Sequence, residues 1–213
     1  MNILIADDHA IVRQGLKALI EKEPGMEVIG EVENGEQAVA LAKELTPDIV
    51  IMDMTMPLLN GIEATKYILR ENPNVRIIAL SMHSNSHIVR KALKAGAMAY
   101  LLKSCLFDEL SRALQAVAAD TRYLSPQIEK LVVQSDLSSL KDEVPHIDLT
   151  PRERQILQLL VEGRSVKEIG AHLSISPKTV DATRRRMMNK LDISNLADLV
   201  RYAVREGLTS VEF

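Results

Sequence analysis

Charged and polar side chains follow four apolar runs in the first half of the chain. Asp7 and Asp8 follow the first run, Asp53 the second, Ser81 the third and Lys103 the fourth. Parallel strands of one sheet end along the same edge, and doubly wound α/β folds hold their sites at that edge. The spacing therefore predicts that three carboxylates, a hydroxyl and an ammonium group meet in one pocket.

A pocket of this composition requires a cation, because the carboxylates of Asp7, Asp8 and Asp53 would otherwise repel one another. Mg²⁺ is the predicted cofactor, since it binds carboxylate oxygens and keeps waters and a phosphate oxygen in its shell. Once the charge is neutralised, one carboxylate can attack a phosphoryl group and form an aspartyl phosphate. Lys103 and the metal would stabilise the charge on the transferred group.

The composition is that of a folded protein with two electrically different parts. Hydrophobic residues make up 46% of the chain and charged residues 26%, which excludes disordered and fibrous classes. Residues 1–120 carry 12 Lys+Arg against 16 Asp+Glu, a net −4, whereas residues 150–213 carry 11 against 8, a net +3. This asymmetry suggests a cation site in the first part and a polyanion site in the last.

Three features of the sequence bear on location. No stretch approaches the roughly 20 apolar residues that cross a bilayer. The first strand begins at Asn2, which leaves no room for a signal peptide. Cys105 has no second cysteine with which to form a disulfide, as is typical of a reducing compartment. We therefore expect a cytoplasmic protein that does not contact a membrane.

The periodicity of the apolar residues divides the chain into three parts. Residues 1–119 alternate strand-like and helical segments, which predicts a doubly wound, flavodoxin-like parallel sheet of five strands with five helices. Residues 120–148 are polar and turn-forming and are predicted to be a linker, with some helix around Gln127–Val133. Residues 149–213 are helical in pattern and predict a small all-α domain of four helices.

The basic part of the chain has the signals of a helix-turn-helix unit. Thr150 and Glu153 can form a capping box around Pro151 at the start of the first helix. After a short second helix, Ser176 can cap a third helix that reaches about Leu191. Two helices, a tight turn and a basic third helix are the plan of a helix-turn-helix DNA-binding unit.

The third helix has a buried side and an outward side. Its apolar residues recur at offsets that place them on one face. The opposite face carries a stripe that a DNA major groove would contact, made of Lys178, Asp181, Ala182, Arg185 and Asn189. The run Arg184-Arg185-Arg186 could be no more than a solvated face, but its place on this helix favours contact with DNA.

Each residue of the predicted pocket also has a simpler explanation. Asp7 and Asp8 could cap the following helix, Asp53 could be a turn residue, Ser81 a cap and Lys103 a surface charge. Four such coincidences at the ends of four successive strands are improbable together. The joint pattern therefore favours a site.

The motifs of both parts resemble those of one bacterial protein family. Residues 1–118 resemble the receiver domain of two-component response regulators, and residues 149–208 resemble the LuxR-type effector domain of the NarL/FixJ subfamily. In the first part the matching motifs are Ala6-Asp7-Asp8-His9, Asp53-Met54-Thr55-Met56-Pro57, Ala79-Leu80-Ser81 and Tyr100-Leu101-Leu102-Lys103. In the second part they are Leu149-Thr150-Pro151-Arg152-Glu153, Lys167-Glu168-Ile169, Ile175-Ser176-Pro177-Lys178-Thr179-Val180 and Lys190-Leu191.

The resemblance implies a role for each residue of the pocket. Asp53 would accept a phosphoryl group from a sensor histidine kinase. Asp8, Asp53 and the backbone carbonyl of Thr55 would hold Mg²⁺, and Asp7 would assist through the water shell of the metal. Lys103 would pair with the phosphoryl oxygens.

The resemblance also implies a switch. Ser81 would hydrogen-bond to the phosphoryl group, and Tyr100 on the last strand would follow it inward. Charge added at one site would thus shift the population between two packings of the domain.

For the second part, the resemblance implies DNA binding as a dimer. Base contacts fall on Asp181, Ala182 and Arg185, of which Arg185 can reach guanine and Asp181 can accept from the amino group of cytosine. Phosphate contacts that position the domain are expected from Lys178, Thr179, Arg184 and Arg186. The fourth helix would supply a two-fold contact through Leu196, Leu199 and Ala203, so that the operator is a pair of half-sites.

These features predict a cytoplasmic bacterial transcription regulator that is switched by phosphorylation and is not an enzyme in the turnover sense. One alternative is a receiver-like DNA-binding regulator that works without phosphorylation. Another is a Mg²⁺-dependent aspartyl-phosphate phosphatase, but such enzymes commonly carry a second Asp where this chain has Thr55. A dinucleotide-binding domain is disfavoured, because Asp7-Asp8-His9-Ala10 stands where a glycine-rich loop is required.

Overall fold

The computed structural model describes the backbone of residues 1–82, 84–138 and 149–209, and all their side chains except those of 105–108 and 133–138. The chain forms two compact units, Met1–Asp142 and Glu143–Phe213. Across the described ranges, no helix is both long enough and apolar enough to cross a lipid bilayer.

The first unit is a parallel sheet whose strands lie in the order β2-β1-β3-β4-β5-β6. The strands are β1 (Asn2–Ala6), β2 (Glu27–Val32), β3 (Ile49–Asp53), β4 (Arg76–Ser81), β5 (Ala99–Leu102) and β6 (Tyr123–Leu124). The helices are α1 (Ala10–Ile20), α2 (Gly35–Leu45), α3 (Gly61–Glu71), α4 (Ser86–Ala95), α5 (Leu106–Ala118) and α6 (Pro126–Ser138), with a 3₁₀ turn at Lys103–Cys105. All neighbouring strands run parallel, which confirms the predicted doubly wound architecture.

Alternation along the central strands supplies two hydrophobic cores, one on each face of the sheet. On β3, Val50 and Met52 pack in one core, whereas Ile49 and Ile51 pack in the other. Successive side chains of a strand point to opposite faces, and a sheet covered on both faces is apolar at nearly every position. The strands are fixed from both sides, so their carboxyl ends reach one edge of the sheet in a defined register.

A close backbone contact holds the end of β3 in place. Gly61 opens α3 so near to Asp53 that a Cβ at this position would lie 2.0 Å from the Asp53 carbonyl oxygen. Glycine alone leaves room for that approach. Asn60 caps the same helix by accepting a hydrogen bond from the Glu63 N–H. Helix α3 therefore begins directly beside the strand end that carries Asp53.

The sheet has six strands, one more than predicted from the sequence. The short strand β6 pairs with β5, and Ile128 of α6 is fully buried in the core. In correction of the predicted linker over 120–148, residues 123–138 fold into the first unit. A strand of two residues is too short to show alternation, so its pairing could not be predicted from a periodic pattern. Residues 139–148 lie outside the described ranges.

The second unit contains four helices in its described part: α7 (Pro151–Val161), α8 (Val166–His172), α9 (Pro177–Leu191) and α10 (Leu196–Arg205). Thr150 and Ser165 each form a capping box with the glutamate three residues later, and Ser176 caps α9. The turn between α8 and α9 is tight, since a Cβ on Gly170 would lie 2.8 Å from the Ile175 carbonyl oxygen. The predicted helix-turn-helix plan is confirmed.

Candidate functional site

The strand ends bring the side chains of Asp7, Asp53 and Lys103 into contact, and Ser81 ends the neighbouring strand β4 at the same edge of the sheet. Lys103 Nζ lies 2.9 Å from Asp53 Oδ2 and 2.7 Å from Asp7 Oδ2. The side chains of Asp7 and Asp53 are almost completely buried, and that of Lys103 is 6% exposed. Ser81 is fully buried. Because little water screens these charges, they interact far more strongly than they would on the surface.

Asp53 lies in an environment that disfavours its ionised form. Burial raises the pKa of Asp53 to about 7, Lys103 opposes that shift and Asp7 adds to it. The Thr55 N–H also donates to Asp53 Oδ1 at 3.2 Å. Burial lowers the pKa of Lys103, but the two carboxylates outweigh burial and raise it above its ordinary value. One ammonium group therefore does not neutralise the pocket, and a further cation would stabilise it.

A set of possible metal ligands lies together at this edge of the sheet. Single ligand atoms from Asp7, Asp8, His9 and Asp53 all lie within 4.8 Å of one another. Carboxylate oxygens dominate the set, which suits a hard cation such as Mg²⁺. The Asp8 side chain is 32% exposed, so water can reach the ligands and complete a coordination shell. The residues present thus fit the predicted metal.

His9 belongs to this cluster, although the sequence pattern predicted no role for it. Its Nδ1 lies 2.8 Å from Asp8 Oδ1 and 3.1 Å from Asp7 Oδ1. Burial lowers the pKa of His9, but Asp8 and Asp7 give a net increase. The signal that could have found it is its position directly after Asp7-Asp8 at a strand end.

A hydrogen bond connects the pocket with β5. The Tyr100 side chain is fully buried and bonds to the Ser81 side chain. Burial raises the pKa of Tyr100 to about 12, with the hydrogen bond to Ser81 opposing the shift and the charge of Asp53 adding to it. Ser81, at the end of β4, and Tyr100 of β5 are therefore joined by a hydrogen bond inside the buried part of the unit.

The sixth strand, β6, and the residue that follows it are hydrogen-bonded to the same part of the sheet. The Ser125 N–H donates to the Tyr100 carbonyl at 3.1 Å, and the Ser125 hydroxyl donates to the buried Glu109 carboxylate. The Leu102 N–H in turn reaches the Ser125 hydroxyl at 3.4 Å. The sequence signal for this arrangement is the Ser125-Pro126 pair, which is typical of a helix start.

On α9, all residues predicted to contact DNA reach the surface. Lys178, Thr179, Ala182, Arg185 and Arg186 are exposed, and Asp181 and Arg184 are partly exposed. Val180, Thr183 and Met187 are buried instead. The side chain of Asp181 lies between two cations, with Oδ1 2.8 Å from Arg184 Nη2 and Oδ2 2.8 Å from Arg185 Nη2. The outward stripe reaches the surface as predicted, whereas the burial of Thr183 was not predicted.

The burial of residues on α10 contradicts part of the predicted dimer contact. Leu199 and Ala203 are fully buried, whereas Leu196 is 59% exposed. Leu199 and Ala203 lie four positions apart on one helical face, and α10 packs against α7. A unit of this size needs that face for its own core. Of the three predicted residues, only Leu196 remains available to a partner.

The fold and the pocket define a two-component response regulator. The family described as response regulator receiver domain matches residues 3–115. The family described as bacterial regulatory proteins, luxR family, matches residues 148–203. The chain therefore belongs to the response regulators that join a receiver domain to a LuxR-type DNA-binding domain.

Similar proteins extend over nearly the whole chain. The response regulator UvrY of Escherichia coli (strain K12) is 37% identical over 212 residues, which cover 100% of this chain and 97% of UvrY. The transcriptional regulatory protein LiaR of Bacillus subtilis (strain 168) is 39% identical over 214 residues, covering 99% of this chain and 100% of LiaR. The solved structure of the response regulator RcsB in complex with DNA matches with a TM-score of 0.61 and 30% identity, covering 96% of this chain and 98% of that one.

Proposed function

We propose that a sensor histidine kinase phosphorylates Asp53 and that this modification controls transcription through operator binding by the second unit. The observation that carries the proposal is the pocket itself. A nearly fully buried Asp53 carboxylate lies 2.9 Å from the Lys103 ammonium and within a cluster of further carboxylates. A carboxylate in such surroundings can attack phosphorus, while the nearby charges stabilise the transferred group.

Mg²⁺ is the cofactor that we propose for this step. Asp8, Asp53 and the backbone carbonyl of Thr55 would hold the ion, and Asp7 would bind waters of its shell. The bound metal would neutralise the carboxylates and the oxygens of the incoming phosphoryl group. The raised pKa of Asp53 supports this proposal, because burial is not offset by Lys103 alone.

In the proposed transfer, a carboxylate oxygen of Asp53 attacks the phosphorus of a phosphohistidine. The O–P bond forms as the N–P bond breaks, and the imidazole nitrogen leaves with the bonding electron pair. Lys103 holds its ammonium group beside Asp53, where it can pair with the phosphoryl oxygens. Attack of water on the acyl phosphate would release inorganic phosphate and return Asp53 to its free carboxylate, so that the chemistry would serve as a reversible switch.

The proposed switch uses the bond between Ser81 and Tyr100. A phosphoryl group on Asp53 offers strong acceptors to the Ser81 hydroxyl. When the Ser81 hydroxyl turns toward these acceptors, the Tyr100 hydroxyl loses its hydrogen bond to Ser81. The loss of a buried hydrogen bond destabilises the original position of Tyr100 and favours its movement. The population would then shift between two packings of β4 and β5.

We propose that α9 of the second unit binds duplex DNA. Support comes from the RcsB–DNA complex, with which this chain shares 30% identity over 96% of its length. The exposed cations of α9 suit phosphate contacts, and its outward stripe suits base contacts. A homodimer through the exposed Leu196 would read two half-sites. As a DNA regulator it would act in the cytoplasm.

The test is the intact mass of the protein after incubation with acetyl phosphate and Mg²⁺. We expect the wild type to gain one phosphoryl group and Asp53→Asn to gain none. Asp48→Asn is the matched control, because Asp48 is an exposed acid that immediately precedes β3, at the end of the strand opposite to Asp53. EDTA should prevent the gain in every variant.

Two results would contradict the proposal. Phosphorylation of Asp53→Asn would show that another residue is the acceptor. No gain in wild-type mass would remove the phosphorylation switch and leave a regulator that binds DNA without it. Binding of labelled duplex DNA, measured with and without acetyl phosphate, then shows whether the two units are coupled.

A further inference from the structure

The acidic residue of the outward stripe, Asp181, is held by two arginines of its own helix. Its two carboxylate oxygens each lie 2.8 Å from a guanidinium Nη2, one on Arg184 and the other on Arg185. Arg184 and Arg185 follow Asp181 by three and four positions, which is the spacing that lets side chains of a helix meet. The Asp181 side chain is 29% exposed, against 75% for Arg185, so the carboxylate lies deeper than the guanidinium it contacts.

A direct base contact would require this carboxylate to approach the DNA itself. A carboxylate can accept from the cytosine amino group, but phosphates on both sides of the groove repel it. Arg185 extends further from the helix and carries the opposite charge. The side chain that reaches a base edge first is therefore Arg185, with Asp181 behind it.

We propose that Asp181 is a positioning residue that orients Arg185 for a guanine, rather than a residue that reads cytosine. This inference rests on the proposed binding of DNA by α9. A guanidinium group has five N–H donors, and one contact with Asp181 leaves enough of them for the two acceptors of guanine. The ion pair restricts the rotamers of Arg185 before DNA arrives, so less conformational entropy is lost on binding.

Arg184 completes the arrangement. It contacts the second oxygen of Asp181, so the carboxylate is oriented from both sides and its charge is offset. A stripe with a lone acid would weaken binding to every DNA sequence, because phosphates repel it. An acid paired with two cations can instead add selectivity at little cost in overall affinity.

The experiment selects binding sequences from a library of duplex DNA with a randomised centre, using the full chain with and without acetyl phosphate. The proteins compared are the wild type, Asp181→Ala, Arg185→Ala and the double variant. Lys178→Ala is included as a change at a predicted phosphate contact. Glu71→Ala is the matched control for charge, since it removes an exposed acid from a 3.5 Å pair with Lys43.

The proposal predicts that Asp181→Ala and Arg185→Ala lose preference at the same G·C base pair. Arg185→Ala should lower that preference roughly ten-fold or more, and Asp181→Ala roughly two- to ten-fold. The double variant should resemble Arg185→Ala, because the carboxylate acts through the arginine. Lys178→Ala should weaken all sequences alike, and Glu71→Ala should leave the preference unchanged.

Loss of preference at a different base pair in Asp181→Ala would overturn the proposal, since the carboxylate would then read a base by itself. Tighter binding of Asp181→Ala to every sequence, with the preference intact, would overturn it as well. A wild type that selects no sequence in either condition would remove the proposed DNA contact of α9, and this inference with it. These outcomes are distinguishable in one data set.

Discussion

The receiver pocket and the outward face of α9 differ in how deeply their charged side chains are buried. In the pocket, Lys103 is 6% exposed and contacts two carboxylates that are almost completely buried. On α9, Arg185 is 75% exposed and contacts a single partly exposed carboxylate. Buried charges interact through a weakly screening medium, whereas exposed charges are screened by water and salt.

This difference in burial suits the two proposed functions, a response to phosphorylation in the pocket and DNA binding on α9. A pocket in which charges are strongly coupled responds to one added phosphoryl group, because the new charge interacts with every charged side chain of the pocket. On a surface where charges are screened by water and salt, cationic side chains can exchange bound water and counterions for the phosphates of DNA. Within one chain, burial makes charge suitable for switching and exposure makes it suitable for recognition.

The largest expected effect comes from removing the buried cation. Lys103→Met should lower the free energy of unfolding of the first unit by about 3–5 kcal/mol, because it leaves Asp7 and Asp53 without their ammonium partner. Urea unfolding in the presence of EDTA measures this loss. The matched control is Lys43→Met, whose ammonium is 74% exposed and 3.5 Å from Glu71, and which should cost less than about 1 kcal/mol. Equal losses in the two variants would break the contrast between buried and exposed charge.

An intermediate effect is expected for apolar residues of α10. Leu199→Ala should destabilise the second unit by about 2–5 kcal/mol, because Leu199 is fully buried and its truncation leaves a cavity. Leu196→Ala, on the exposed side, should change stability by less than about 0.5 kcal/mol. Amide hydrogen exchange in α7 and α10 of the full chain reports both values. A large loss from Leu196→Ala and none from Leu199→Ala would reverse the assignment of the two faces.

The smallest effect is expected at the capping box of α7. The Glu153 carboxylate accepts from the Thr150 N–H at 2.8 Å and lies 3.5 Å from Lys190 Nζ. Burial raises the pKa of Glu153, but these partners outweigh burial and lower it below its ordinary value. Glu153→Gln should cost about 1 kcal/mol at neutral pH.

The pH dependence of that effect has a definite sign. A carboxyl whose pKa is lower in the folded state stabilises the fold above its unfolded pKa, and the contribution disappears as pH falls through the folded pKa. The cost of Glu153→Gln should therefore vanish in acid, as measured by hydrogen exchange of α7 between neutral and acidic pH. Glu168→Gln, in the exposed capping box of α8, should have a smaller effect. A cost that persists at low pH would show that the ionised carboxylate is not its source.

Some features of the molecule lie within reach of the sequence and others do not. Asp53 and Ser81 could be placed together because the ends of parallel strands necessarily share an edge. The two faces of α9 could be separated because helical periodicity is local. Leu199 was expected at a partner's surface and is buried instead, since periodicity identifies an apolar face without saying which neighbour covers it. The strand at Tyr123–Leu124 has no local signal, because its pairing depends on β5.

The sequence by itself determined the alternation of strands and helices, the residues at the strand ends and the caps of the helices. These properties follow from chain geometry and neighbouring residues, which act over a few positions. The tertiary structure alone decided that the Lys103 ammonium contacts both Asp7 and Asp53 and that His9 lies within reach of Asp53 in the acidic cluster. Distances, burial and the resulting pKa shifts depend on which groups shield one another from water. The packing of the whole unit determines which groups these are.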